Sequence, residues 1–119
     1  MFKVYCDSST KEACYVVEGE DPVVTPYAEP VTNNVGEYIS VLIALRELLE
    51  REAVAPIVLT DSQLVVNQVA GQDKHGHLWR KCKPHLQPYR DATRKAVFAL
   101  SADLQWIPRE ENMAGKVLE

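Results

Sequence analysis

Ile57-Val58-Leu59-Thr60-Asp61-Ser62-Gln63 is the stretch that decides the fold. Ile57, Val58 and Leu59 run without alternation into Thr60, the pattern of a short strand buried on both faces, and Leu64 to Ala70 continue as a helix. Asp61 therefore stands at the carboxyl end of a central strand. In open α/β sheets the crevice at those strand ends is where ligands are handled, which makes Asp61 a candidate site residue. Aspartate is equally a favoured N-cap after a βα loop, so its role depends on what joins it.

Upstream, Phe2 to Asp7 and Ala13 to Glu18 are rich in Val and Tyr and read as two strands joined by the polar turn Ser8-Ser9-Thr10-Lys11-Glu12. This hairpin places Asp7 at its turn end. Val23 to Val31 reads as a third extended run, put at the sheet edge by Pro22, Pro26 and Pro30, because proline cannot donate to a central ladder. Thr32-Asn33-Asn34 is a helix start signal, and Val35 to Glu52 carries apolar residues at helical spacing. Glu37 falls on the buried stripe of that helix, with Val41, Ala44, Leu45 and Leu48 below it. A capping-box role opposite Asn34 is the plain alternative.

Downstream of the decisive strand, Gly71 to Lys83 is dense in positive charge and carries Trp79, a composition suited to phosphate contact and base stacking and equally to a solvated loop. His75, His77, Cys82 and His85 match no standard zinc spacing. Pro84 or Pro88 opens a helix reaching Leu100, Asp103 to Ile107 reads as a last strand, and a short helix follows Pro108. The order βββαβαα(β)α predicts a mixed α/β protein, with a five-stranded sheet whose three N-terminal strands are antiparallel and helices on both faces.

Composition fits one such domain spanning 1–119. The 46% hydrophobic and 25% charged residues suffice for a single core. The net charge of -4 tells against a dedicated electrostatic nucleic-acid binder, although a local basic patch can serve. Three cysteines are too few for a disulfide framework, and neither a signal peptide nor a membrane-length apolar run is visible, so a cytoplasmic protein acting as a monomer is expected. If the first and fourth strands are neighbours, Asp7, Glu37 and Asp61 converge on one crevice. Carboxylates that close repel one another, and the natural remedy is a hard divalent cation, Mg²⁺ or Mn²⁺.

The runs Tyr5-Cys6-Asp7-Ser8-Ser9, Thr32-Asn33-Asn34-Val35-Gly36-Glu37-Tyr38, Thr60-Asp61-Ser62-Gln63-Leu64-Val65-Val66-Asn67-Gln68-Val69 and Trp106-Ile107-Pro108-Arg109-Glu110-Glu111-Asn112 together resemble type 1 ribonuclease H of the compact prokaryotic or archaeal kind. The resemblance runs nearly end to end. It implies a ribonuclease H-like fold and a metal-dependent endonuclease that cuts the RNA strand of RNA·DNA hybrids, with Asp7, Glu37 and Asp61 as catalytic metal ligands for Mg²⁺ or Mn²⁺. It further implies that Ser9, Asn33, Asn34 and Gln63 contact the hybrid, the amides reading the minor groove and the ribose 2′-OH that sets RNA apart from DNA.

The sequence departs from that pattern in places. Counting four residues from Asn112, the fourth acid of the family falls on Lys116, whose ammonium would repel a cation; Glu119 and Glu111 are the nearby acids. Ser8 stands where the family has a glycine, and the histidine many members carry before the last helix is missing. These departures leave a second expectation open, an inactive relative that binds nucleic acid or a protein partner.

Overall fold

Alternation of side chains along each strand builds two cores on one sheet. The computed structural model describes residues 1–119. It runs β1 (Lys3–Ser8), β2 (Glu12–Val17), β3 (Val23–Pro26), α1 (Asn33–Glu50), β4 (Ile57–Thr60), α2 (Gln63–Ala70), α3 (Gln87–Leu100), β5 (Asp103–Trp106) and α4 (Met113–Leu118). The strands form one sheet in the order β3-β2-β1-β4-β5. β2 pairs antiparallel with both β1 and β3, whereas β4 pairs parallel with β1 and with β5.

Val4, Cys6, Tyr15, Val17 and Val58 point to one face, where they meet Tyr38, Val41, Leu45 and Leu48 of α1. Tyr5, Cys14, Val16 and Leu59 point to the other, where Ala114 of α4 covers them. The period-two pattern of the strands and the apolar stripe of α1 account for both layers. Helices cover both faces, as the sequence predicts. No helix is long and apolar enough to cross a membrane.

Strand and helix ends differ from expectation by one or two residues at several places, and three differences bear on the site. The third extended run is a strand only over Val23–Pro26; Tyr27 has left the sheet, and its N–H is bound by the Lys11 carbonyl in the first hairpin. α1 begins at Asn33 rather than Val35, because Thr32 is its cap and accepts from the Val35 N–H at 3.4 Å. In α2 the cap is Ser62, whose hydroxyl accepts from the Val65 N–H, so Asp61 is released from the capping role.

Candidate active site

The register of two parallel strands brings the first pair of carboxylates together. Cys6 lies opposite Thr60 across β1 and β4, so the next residues along, Asp7 and Asp61, emerge side by side at the carboxyl edge. Glu37 arrives from the first turns of α1, over the same edge. Its approach depends on Gly36: a Cβ there would overlap Ser8 Oγ and lie 3.2 Å from Ser8 Cβ and from the Ser9 carbonyl oxygen. Ser8 is thus accommodated by a glycine on the facing helix. The Ser8 hydroxyl hydrogen-bonds with Tyr27 Oη at 2.7 Å, and Tyr27 Oη donates to the Gly36 carbonyl at 3.3 Å, fastening the hairpin turn to the start of α1.

Asp7, Glu37 and Asp61 each offer an oxygen, and these oxygens lie within 4.8 Å of one another. They form the one group of three or more His, Cys, Asp or Glu side chains that converge in this way; His75, His77, Cys82 and His85 do not. Glu37 Oε2 and Asp61 Oδ2 are buried with no hydrogen-bond partner. Buried unpartnered polar atoms are uncommon and destabilising, so two in one cluster call for an explanation.

Electrostatics supplies it. Burial, followed by the charges of Asp7 and Asp61, pushes the Glu37 carboxyl up to about 9, with the Ser8 backbone N–H acting in the opposite direction. Asp61 is also raised, by burial and then by Asp7, with the Arg109 cation opposing the rise. Acids whose ionisation is opposed by burial and by each other, with bare oxygens aimed at a common point, fit a hard divalent cation with oxygen donors.

The residues expected to contact a hybrid surround this cluster unevenly. Asn33 and Asn34 open α1 and Gln63 opens α2; all three are exposed, and their side chains make no hydrogen bond within the protein. Ser9 differs: its hydroxyl accepts from the Lys11 and Glu12 N–H groups at 3.1 Å, which closes the hairpin turn. Lys74, His75, His77, Arg80, Lys81 and Lys83 are all exposed along the segment between α2 and α3.

The position matching the fourth acid lies on α4. Lys116 is exposed. The buried residue against Asp7 is Gly115, where a Cβ would lie 3.1 Å from Asp7 Oδ2. The reason is local. Asn112 caps α4 by accepting from the Ala114 N–H and anchors it by donating from Nδ2 to the Cys6 carbonyl at 2.8 Å, which holds the helix against β1. Glu111 and Glu119 are exposed and stay outside the convergent group. Sequence reasoning missed the Ser8–Gly36 exchange and the place of Gly115.

A mixed sheet in the order β3-β2-β1-β4-β5, helices on both faces and acids at the ends of the two middle strands define the type 1 ribonuclease H-like fold. Solved structures share it. RNase H1 of the halophilic archaeon Halobacterium salinarum superposes with a TM-score of 0.81 at 22% identity, over 98% of this chain and 92% of that one. LC11-RNase H1, solved in complex with an RNA/DNA hybrid, gives 0.78 at 19% identity over 100% of both chains. The N-terminal RNase H domain of a Mycobacterium tuberculosis protein gives 0.72 at 23% identity over 93% of this chain and 84% of that one. No family model matches the sequence.

Proposed function

We propose that the protein is a metal-dependent endonuclease that hydrolyses the RNA strand of RNA·DNA hybrids. The observation that carries this reading is the convergence of Asp7, Glu37 and Asp61 within 4.8 Å, with two of their oxygens buried and unpartnered. Mg²⁺ or Mn²⁺ held by these three carboxylates would supply activation of water and charge stabilisation at a phosphodiester. The protein's own contribution is placement. The parallel register of β1 and β4 fixes Asp7 beside Asp61, and the Ser8–Tyr27–Gly36 contacts fix Glu37 over both.

Asn33, Asn34 and Gln63, exposed at two helix starts, present amides suited to ribose hydroxyls and minor-groove base edges, which is how RNA is told from DNA. Ser9 is assigned a supporting contact from the turn beside Asp7. The exposed cations between Lys74 and Lys83 suit the phosphate backbone of the duplex despite the net charge of -4. That the structural neighbour LC11-RNase H1 is solved with an RNA/DNA hybrid supports the substrate class.

A second reading has one observation in its favour. Gly115 of α4 lies against Asp7 and Lys116 follows it, so α4 adds no acid to the cluster of three. An inactive relative that binds hybrid without cutting it would tolerate that loss. Cleavage of an end-labelled RNA·DNA hybrid in Mg²⁺ and in Mn²⁺ tests the two. Cutting of the RNA strand that is abolished by Asp61→Asn supports the nuclease. Hybrid binding without cutting in either metal supports the inactive relative.

A further inference from the structure

Next to the acids lies a second concavity, which shares only Gln63 and Lys74 with the contacts proposed for the hybrid. It has a volume of about 370 Å³ and lies between one side of α2, the end of β5 and the short turn after Gly71, with Gln63, Asn67, Gln72, Lys74, Gln105 and Trp106 on its walls. Its link to the acidic cluster is direct. The Trp106 indole N–H donates to the Asp61 carbonyl at 3.1 Å, so one edge of the ring is pinned while the residue remains 45% exposed.

The lining chemistry is unusual for a surface dent. Asn67 is only 7% exposed, yet its side chain makes no hydrogen bond within the protein and opens on the cleft. Its polar atoms reach the solvent of the cleft, so the amide is free to pair with a ligand there. Gln63 and Gln72 are likewise unengaged. Four carboxamides, each with a donor and an acceptor, therefore share the walls with an indole, one ammonium and the Asp73 carboxylate, which accepts from the His75 and His77 N–H groups.

We propose that this cleft binds a nucleobase from an unpaired nucleotide adjoining the hybrid. An indole gives a stacking surface that any base satisfies, and amides pair with the donor–acceptor edge that a base exposes only when it is not in a duplex. The volume sits at the low end for small-ligand sites and suits one nucleoside rather than a longer piece of strand. Lys74 at the rim provides charge for the attached phosphate. The inference rests on the nuclease reading for the strand it serves, and on the cleft alone for its chemistry. The protein would then engage hybrids with a single-stranded overhang or junction more tightly than blunt ones.

The test is a titration of ¹⁵N-labelled protein, in metal-free buffer, with each of the four nucleoside 5′-monophosphates and with inorganic phosphate. Saturable shifts of the Asn67 side-chain amide and the Trp106 indole N–H, produced by nucleotides and not by phosphate, are expected. Trp106→Leu should weaken binding about tenfold and Trp106→Phe should keep it within about threefold, since stacking needs only an aromatic face. Asn67→Leu, which keeps the volume and removes the amide, should also weaken it about tenfold. Equal shifts with inorganic phosphate, or full binding in both leucine variants, overturn the proposal. Hybrid cleavage is measured on the same samples. Nucleotide binding without cleavage leaves the cleft standing and removes the nuclease reading, whereas cleavage without nucleotide binding removes the cleft.

Discussion

Gly115 faces Asp7 so closely that a Cβ at position 115 would lie 3.1 Å from Asp7 Oδ2. Position 115 is thus close enough for α4 to add a donor to the acidic cluster, and Lys116 one step on is exposed. Gly115 does not have a positive φ, so its backbone accepts a side chain once the Asp7 carboxylate moves by a few tenths of an ångström. Gly115→Asp is expected to lower the melting temperature in chelator, since a fourth carboxylate joins three that already repel. It should raise Mn²⁺ affinity roughly tenfold, because ligand charge sets affinity for hard cations. Lys116→Asp should change Mn²⁺ affinity by less than about threefold. Calorimetric titration of both variants decides; a larger gain from position 116 would mean that α4 docks one residue out of the register described.

A pH dependence follows from Glu37. Its carboxyl is pushed up to about 9 in the folded protein, against 4.5 ordinarily. Between those values the folded state holds a proton that the unfolded chain has lost, so metal-free stability falls as pH rises from about 4.5 towards 9 and levels off above. A divalent cation must displace that proton, so its apparent affinity rises over the same range. Melting temperatures at pH 5.5 and 8.5, with chelator and with Mn²⁺, should show the metal-free protein less stable at the higher pH and the metal-induced gain larger there. Glu37→Gln should flatten the metal-free trend.

Much of this was legible in the sequence because it depends on local pattern. The two-sided apolar run of β4, the alternation in β1 and β2 and the apolar stripe of α1 fix sheet and helices through burial alone. Asp7, Glu37 and Asp61 were legible because each sits at the end of such an element. The place of Gly115 was not. It depends on how α4 docks, which is set by the Asn112 hydrogen bond to the Cys6 carbonyl of β1, a partner 106 residues away in sequence. Trp106 and Asn67 read as ordinary strand and helix residues, and only the packing of α2 beside β5 puts them on one cleft.

The exchange between Ser8 and Gly36 makes a measurable cycle. A methyl group at 36 would overlap Ser8 Oγ and press on Ser8 Cβ and the Ser9 carbonyl, so Gly36→Ala should cost about 1–3 kcal/mol by overpacking. Ser8→Gly removes the obstruction along with the hydrogen bond to Tyr27, and alone should cost about 1 kcal/mol. The double variant should be more stable than the sum of the two, with a coupling of about 1–2 kcal/mol, read from urea midpoints. Additive costs would show that the hairpin turn and α1 are not in the tight contact described.

Asn112 holds α4 to the sheet and should be the most sensitive polar residue outside the acidic cluster. It is fully buried; its Oδ1 accepts from the Ala114 N–H and its Nδ2 donates to the Cys6 carbonyl, next to Asp7 in the chain. Asn112→Ala removes a helix cap and strands a buried carbonyl, which together cost roughly 2–4 kcal/mol. Asn112→Asp keeps the cap acceptor but loses the donor and puts a further acid in a pocket already crowded with negative charge. Its cost should therefore be larger at pH 8 than at pH 5, where the new carboxyl can stay protonated and donate to Cys6. Urea denaturation of both variants at the two pH values checks the pair. An aspartate variant equally stable at both would show that position 112 is solvated, and that α4 does not seal the far side of the acidic cluster.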